Sequence, residues 1–236
     1  MKVDELKRKY LYKINDLHPK LTYIVQICEN LSVDDQIKEI SKLSDKFIVV
    51  KEKNECEKIL IDLILGKIEN VYVIFEKLEN VYVIFEKLDN YYKEHVKNLI
   101  FYYLLFFGSR KNNENKLIRE KFVEEIKNIE NNIDTDLIFK IMQATKKEIP
   151  EELIKKVEKQ FENKISKITK KYLKTQQRGR YQEVSDYLIA FVEYLSQEGR
   201  VNEGKILLQK FQEKYTHYNV YKKCLKNSLE RSSVGE

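Results

Sequence analysis

Apolar residues recur along most of the chain at steps of three and four, the spacing of helices that bury one face. The pattern is longest from Val71 to Phe106, where the apolar positions form one stripe and His95 fills its single gap. Six glycines and two prolines give few turn signals between such segments. The pattern predicts an all-α protein, built as an antiparallel helical bundle or an array of helical hairpins with about eight or nine helices.

The long stripe contains the decapeptide ENVYVIFEKL twice without a break, at 69–78 and 79–88. Ten residues at about 100° each leave the second copy rotated by roughly 80°, so a helix accommodates the duplication only on a wide apolar face. A β-hairpin is the alternative, because VYVIF is rich in β-branched and aromatic residues. The link EKLEN has no Gly or Pro to turn the chain, which favours the helix.

Two residues mark helix boundaries in the second half of the sequence. Gly108 is a natural helix stop, and Pro150 suits the start of a long helix. The polar run KNNENK at 111–116 separates a predicted N-terminal half, 1–110, with the long central helix, from a C-terminal half, 111–236, with a basic helix and a helical hairpin. One continuous domain is the alternative. The predicted inner stripe of the long helix is Ile154, Val157, Phe161, Ile165, Ile168 and Tyr172.

Two later turns share a pattern. The runs GRYQE, from Gly179, and GRVNE, from Gly199, lie 20 residues apart, and each ends one amphipathic segment and begins another. The predicted inward residues of these two segments are Val184, Tyr187, Leu188, Phe191 and Leu195, then Val201, Leu207, Leu208, Phe211 and Tyr215.

The segment 179–215 resembles a tetratricopeptide-type helical hairpin. Gly204 follows Gly199 by five residues, where that repeat has a small residue for close helix approach. The segment is also similar to the helical tail of some SWIM zinc-finger proteins, although the Cys/His metal motif of that family is absent, as are the Trp and the closing Pro of the repeat. The resemblance implies stacked helical hairpins.

Composition narrows the class of protein. The three cysteines are far apart, which suits a reducing compartment and argues against a disulfide scaffold or a zinc site. The N-terminus MKVDELKRKY is charged and has no signal-peptide core. The longest apolar run, 99–107, is nine residues, far short of the roughly 20 that span a membrane. We expect a cytoplasmic protein with no membrane span.

The sequence has no recognisable catalytic motif. It lacks a Gly-rich phosphate loop, a nucleophile elbow and a His/carboxylate metal spacing. We therefore predict no catalytic residue, no metal ligand and no cofactor, and a protein that is not an enzyme. His95 is expected to be a partnered or partly buried histidine rather than a ligand or base. The adjacent acids Glu124 and Glu125 are expected to face solvent or lie at a helix start.

One electrostatic feature stands out. Residues 164–180 hold seven basic residues and no acid in a chain of formal charge +6. Five of them step by three and four, which predicts a row of cations roughly 21 Å long beside the apolar stripe of one helix. The candidate residues for binding nucleic acid or an acidic partner are Lys164, Lys167, Lys170, Lys171, Lys174, Arg178 and Arg180. An ordinary solvated helix face and an anionic membrane surface are the other interpretations.

These observations predict a non-enzymatic α-helical binding or scaffold protein that engages another macromolecule. A protein partner is expected, although the sequence does not identify it. The alternative is a nucleic-acid-binding protein that uses the basic helix face at 164–180. The sequence does not indicate the oligomeric state.

Overall fold

The computed structural model describes residues 59–60, 62–64, 66–68, 90–109, 115–129, 135–145 and 148–234. The duplicated decapeptide and the first predicted helices lie outside these ranges. The described residues contain helices and a 3₁₀ turn at Arg178–Arg180, with no strand among them, which confirms the all-α class. The total number of helices and their antiparallel arrangement stay predictions. The helices are α1 (Asn90–Gly108), α2 (Lys116–Ile129), α3 (Thr135–Thr145), α4 (Glu151–Lys174), α5 (Tyr181–Gln197), α6 (Val201–Lys214) and α7 (Asn219–Arg231).

The chain divides into two compact units. One comprises Met1–Ile100 with Val123–Glu148, and the other comprises Phe101–Phe122 with Ile149–Glu236. The sequence-predicted boundary near 111–116 falls mostly outside the described residues and stays a prediction.

In the first unit, the described core is aliphatic with a few larger side chains. Its buried apolar residues come from the helical residues near position 60, from the first half of α1, from the end of α2 and from α3. They are Ile59, Leu60, Leu63, Ile64, Ile68, Val96, Leu99, Ile100, Ile126, Ile138, Phe139 and Met142.

The core of the second unit is aromatic. Tyr102 stacks parallel to Tyr187, with ring centroids 6.2 Å apart, and Phe161 meets both rings edge-on. The rings of Tyr103, Phe107 and Phe122 form a second group. Every residue from 101 to 107 is buried, so this apolar end of α1 is covered on all sides before the helix ends at the predicted Gly108.

Helix α5 lies at the centre of the second unit. It packs against α4, α6 and α7, and all residues from Val184 to Leu195 are buried. A helix buried all round must be apolar all round or must supply partners for its polar groups. The sequence predicted only one inward face for this segment, and the five residues of that face are buried as predicted.

Helix α4 begins after Pro150 as predicted, but its buried stripe differs from the predicted one. Successive buried positions are four residues apart along the whole helix, so the buried stripe winds gradually around the helix axis. Val157, Phe161 and Ile165 are buried as predicted, whereas Ile154, Ile168 and Tyr172 are only half-buried. The full buried stripe is Leu153, Val157, Phe161, Ile165, Thr169 and Leu173.

Helix α6 approaches α5 closely at Gly204. A Cβ atom at Gly204 would lie 3.3 Å from both the Cγ1 atom and the carbonyl oxygen of Val192, so this position has room only for glycine without a shift. The predicted inward positions Leu207, Phe211 and Tyr215 are buried, whereas Leu208 is only half-buried. The prediction that Val201 faces inward is wrong. Val201 is the first residue of α6, one turn before the Gly204 contact, and it remains 41% exposed.

Candidate nucleic-acid interface

The seven basic residues of the sequence-predicted site lie in two adjoining elements. The lysines are in the C-terminal half of α4, and the arginines are in the 3₁₀ turn that follows it. Six of the seven side chains are exposed, and Lys164 is half-buried. The structure therefore brings the predicted residues together but gives them different surroundings.

Four lysines form one exposed face of α4, called here the lysine face. At about 100° and 1.5 Å per residue, they occupy an arc of about 100° and cover about 10 Å of the helix axis. The opposite side of the helix carries Ile165 and Thr169, which are fully buried. The lysine face consists of Lys167, Lys170, Lys171 and Lys174.

No carboxylate in the described part of the chain forms an ion pair with the lysine face. The nearest acid before it in the sequence is Glu162, and the next one after it is Glu183. Glu183 already pairs with Arg180 at 2.9 Å. The four ammonium charges are therefore not neutralised by described acidic side chains.

Lys164 does not belong to this face. Its ammonium lies over two aromatic rings, 5.0 Å from the ring centroid of Tyr187 and 5.6 Å from that of Phe101. A cation held over a ring face is attracted by the electrons of the ring, typically by about 0.5–1 kcal/mol when exposed. Its charge is thus engaged within the fold.

The two arginines continue the positive charge beyond the helix. Because α4 ends at Lys174, Arg178 lies in the 3₁₀ turn rather than on the same helical row as the lysines. Its side chain is exposed and pairs with no described carboxylate. The hydrogen bond and charge of Glu183 raise the pKa of Arg180 above its ordinary value, so Arg180 is a charge held in a local ion pair.

The end of α4 is fixed by a complete C-terminal cap. The N–H of Gln177 donates to the carbonyl of Tyr172 at 2.9 Å, and that of Gln176 donates to Leu173 at 3.1 Å. This hydrogen-bond pair requires a left-handed residue, usually glycine, just after the helix. Here that residue is Gln176, with φ of 53°. The turn that carries Arg178 is therefore held in a backbone conformation that is costly for a side-chain-bearing residue.

The lysines of the last turn also stabilise α4 itself. Lys171 and Lys174 lie near the negative end of the helix dipole. Such cations contribute about 0.3–1 kcal/mol each at an exposed helix end. This contribution explains two of the four lysines. It does not explain Lys167 and Lys170, which lie further from the terminus.

A groove between α4, α5 and α6 forms a second surface. It has a volume of about 360 Å³, and Phe191, Leu195 and Leu207 line its apolar part. Ile206, on the same groove, is 66% exposed, the largest exposure among the large apolar side chains of the described residues. Sequence analysis missed Ile206, because its position on α6 lies off the predicted inward stripe.

A charged network ties the walls of this groove together. The guanidinium of Arg200 pairs with Glu158 of α4 and with Glu203 of α6, each at 2.8 Å. The hydroxyl of Tyr194 donates to the other oxygen of Glu158 at 2.7 Å. Charge-assisted hydrogen bonds therefore link α4, α5 and the start of α6 along the groove.

In the first unit, His95 is a partnered, half-buried histidine, as expected. Its Nδ1 atom lies 2.5 Å from Glu125, and Asn98 donates to the other oxygen of Glu125 at 2.7 Å. The expectation that Glu125 faces solvent is wrong, because the residue is only 8% exposed. The histidine and asparagine are hydrogen-bond partners of this carboxylate, so the three side chains form one part-buried polar network.

Two acids of the buried helix α5 have structural partners. The carboxylate of Asp186 accepts hydrogen bonds from Lys121, Arg231 and Ser228 at 2.7–2.8 Å. Burial alone raises the pKa of Asp186, but the hydrogen bonds and charge around it, led by Lys121, hold the pKa below its ordinary value. Glu193, the second acid, accepts hydrogen bonds only from backbone N–H groups among its described partners.

Comparison with protein-family models, curated proteins and solved structures finds no match for this chain. Within the described ranges, no group of three or more His, Cys, Asp or Glu side chains is arranged to hold a metal ion. No helix in the same part of the chain combines the length and the apolar character needed to cross a membrane. The lysine face and the groove are the candidate binding surfaces of the described residues.

Proposed function

We propose that this protein is a non-enzymatic α-helical binding protein that binds nucleic acid through the lysine face. The observation that carries the proposal is the exposure of four lysines on one face of α4, without a described acidic partner. In this proposal, stacked helical hairpins of the tetratricopeptide type form the scaffold that holds the face.

The chemistry of the face favours phosphates. Each lysine ammonium is a compact point charge with three donors, suited to a phosphate oxygen. Neutralising phosphates also releases condensed counterions, which supplies most of the free energy of non-specific nucleic-acid binding. Four contacts predict that affinity falls about a hundredfold between 50 and 200 mM salt.

The charge of the surrounding region supports the same partner. Residues 149–236 contain eighteen basic and twelve acidic residues, so this segment carries the whole formal excess of +6 in the chain. A positive region attracts a polyanion over a distance of about one Debye length, roughly 8 Å at physiological salt. The lysine face lies within this positively charged segment.

The test is binding of generic duplex DNA and RNA, measured by filter retention at several salt concentrations. We expect Lys167→Glu, Lys171→Glu and Lys174→Glu, combined, to abolish retention while circular dichroism stays helical, because the buried stripe of α4 is unchanged. The matched control reverses three exposed lysines elsewhere: Lys205→Glu, Lys210→Glu and Lys223→Glu. It has the same net charge and is expected to retain binding.

Two results contradict the proposal. Absence of retention by the wild-type protein at low salt removes nucleic acid as the partner. Equal loss in the two triple variants shows that binding depends on net charge alone and not on the lysine face.

The groove favours a second candidate function, a protein scaffold. Ile206 exposes an apolar side chain beside the apolar part of a groove with a charged rim, and an exposed apolar patch rimmed by polar residues is typical of protein-interaction sites. Selection from a displayed peptide library tests it, with Ile206→Glu as the counter-selected variant. Peptides that bind the wild type and the lysine triple variant equally, but not Ile206→Glu, are expected if the groove is the site. Recovery of no such peptide contradicts this function.

A further inference from the structure

The shape of the lysine face bears on which form of nucleic acid it fits. Its cations lie on a single helix, within about 10 Å along the helix axis and an arc of about 100°. Double-stranded DNA presents one phosphate charge per roughly 1.7 Å of its axis, so a stretch of this length holds about six phosphates on its two strands. An unbent duplex therefore offers enough phosphates for all four ammonium groups.

The face is fixed in position before any ligand binds. Its helix is anchored by the fully buried Ile165 and Leu173 and closed by the cap at Gln176 and Gln177. A helix held in place presents its lysines along one direction, which matches a stiff polyanion, and duplex DNA is stiff over about 150 base pairs. A single strand has to be ordered along the row, which costs conformational entropy on binding.

Recognition of single strands normally depends on exposed aromatic rings, and neither of the two rings that the sequence places near the site is fully exposed. Proteins that bind single strands stack bases on such rings, typically with about 1–3 kcal/mol per base. Tyr181 is only 3% exposed and packs edge-on against Tyr221. Tyr172 is half-buried, and the ammonium of Lys171 lies 5.6 Å from its ring centroid.

The side chains of the lysine face also limit which part of a nucleic acid the protein recognises. Base sequence in the major groove is read most specifically by planar groups such as Arg, Asn and Gln, which make paired hydrogen bonds to one base. Lysine also contacts guanine, but its ammonium is a point charge on a flexible stem and lacks the planar fork of arginine. All four members of the face are lysines, and phosphate contacts position a protein without carrying sequence information. The face is thus built for the backbone and not for the bases.

We propose that the partner of the lysine face is double-stranded nucleic acid, bound through its phosphates without selection of base sequence. This inference rests on the proposed function and specifies the class of its ligand. It assigns the binding to duplex geometry, so single strands and flexible acidic polypeptides are weaker ligands.

The experiment measures the affinity of the full chain for five probes at one low salt concentration. The probes are two short DNA duplexes of unrelated sequence, an RNA duplex, a non-self-complementary single strand of one DNA sequence, and polyglutamate. We expect a duplex to bind at least about tenfold more tightly than the single strand, given the missing stacking contacts. The two DNA duplexes are expected to agree within about threefold, because a sequence-reading site loses more than that for a single wrong base pair.

The slope of log affinity against log salt gives an independent readout. Each lysine of the face that contacts a duplex phosphate contributes about 0.9 to this slope. Lys170→Gln is expected to lower it by about one unit on a duplex, with unchanged helicity. The arms with DNA and RNA duplexes show which duplex the face prefers, and tighter binding to either one than to the single strand supports the inference.

Three outcomes overturn it. Equal or tighter binding of the single strand removes the duplex as the preferred ligand while leaving the proposed function intact. Polyglutamate that binds as tightly as the duplexes shows a general polyanion surface. Duplexes that differ by far more than threefold show that bases are read. Failure to bind any nucleic-acid probe is a separate result, because it contradicts the proposed function itself.

Discussion

The carboxylate of Glu193, in the middle of α5, accepts a hydrogen bond of 2.8 Å from the backbone N–H of Leu117 in the first turn of α2. The same oxygen lies 3.3 Å from the N–H of Ile118, and the other oxygen accepts the N–H of Ser233 at 2.7 Å. The first N–H groups of a helix have no partner within the helix and are usually capped by a local side chain. Here the cap comes from 76 residues further along the chain.

This remote cap predicts that Glu193→Gln destabilises the fold. Both carboxylate oxygens act as acceptors, and an amide offers only one oxygen, so one set of N–H groups faces an NH₂ donor. Leaving a buried donor unsatisfied costs about 1–3 kcal/mol, and we expect a loss of about 2 kcal/mol in urea unfolding. Glu213→Gln is the control, because Glu213 is exposed and bonds only to Gln209 among its described contacts. A loss equal to that of the control would show that α2 does not depend on this cap.

The carboxylate of Asp186 predicts a pH dependence of stability. Its pKa is lower in the folded protein than its ordinary value, so the stability it contributes is fully present above the unfolded pKa of about 3.9. That contribution is lost as the pH falls through the folded pKa. Asp186→Asn is expected to be about 3 kcal/mol less stable at neutral pH, because Lys121 and Arg231 lose their buried partner.

The measurement is urea unfolding of the wild type and of Asp186→Asn from pH 7 down to pH 3. The gap between the two proteins should stay constant down to about pH 4 and narrow below it. A gap that widens on acidification would mean that the carboxylate is destabilising in the fold.

The left-handed residue after α4 predicts a stabilising substitution. Gln176→Gly relieves the positive φ and is expected to gain about 0.5 kcal/mol, after allowance for the greater freedom of glycine in the unfolded chain. Gly199 occupies the equivalent position after α5, with φ of 77° and the same pair of cap hydrogen bonds. Gly199→Ala is the opposite comparison and is expected to lose about 1 kcal/mol. Thermal unfolding of the two variants measures both effects, and a loss in Gln176→Gly would contradict the argument.

Lys164 and Lys170 are expected to differ in function although both are basic residues of α4. Lys164→Gln should lower the salt dependence of duplex binding less than Lys170→Gln does, because Lys164 is half-buried and its ammonium lies over the buried rings of Tyr187 and Phe101. The same variant should lose about 0.5–1 kcal/mol of stability with the ring contacts. Lys170→Gln should show the reverse, a smaller salt slope with stability within about 0.5 kcal/mol of wild type. If Lys164→Gln lowers the slope as much as Lys170→Gln, the face extends further along α4 than its geometry indicates.

Local signals in the sequence were sufficient for the helical class and for several helix boundaries. Gly108 and Pro150 mark observed ends because the backbone requirements of glycine and proline are local properties. The buried stripe of α4 was only partly predicted, since three of its six positions depend on how neighbouring helices cross it. Leu153, Thr169 and Leu173 are buried by that packing and not by the spacing of apolar residues alone.

The candidate site was predicted as a group of residues but not in its geometry. Position along the chain shows that lysines are close to each other on a helix. It does not show that α4 ends at Lys174. Nor does it show that the ammonium of Lys164 lies over rings from α1 and α5. The acids of α5 are a signal for buried polar partners that the sequence contains, because charges in an otherwise apolar helix need such partners. Their partners are tens of residues away, so only the fold identifies them.

The burial of α5 on every side limits which substitutions the sequence of this helix can accept. Twelve consecutive residues, 184–195, touch either core or a polar partner, so almost any substitution there changes volume or leaves a group unsatisfied. In α6, by contrast, only Gly204, Leu207 and Phe211 are buried. In a library of all single substitutions selected for folded protein, α5 should therefore retain its wild-type residues at nearly every position. Helix α6 should retain them at about one position per turn, so these two contacting helices would diverge at very different rates.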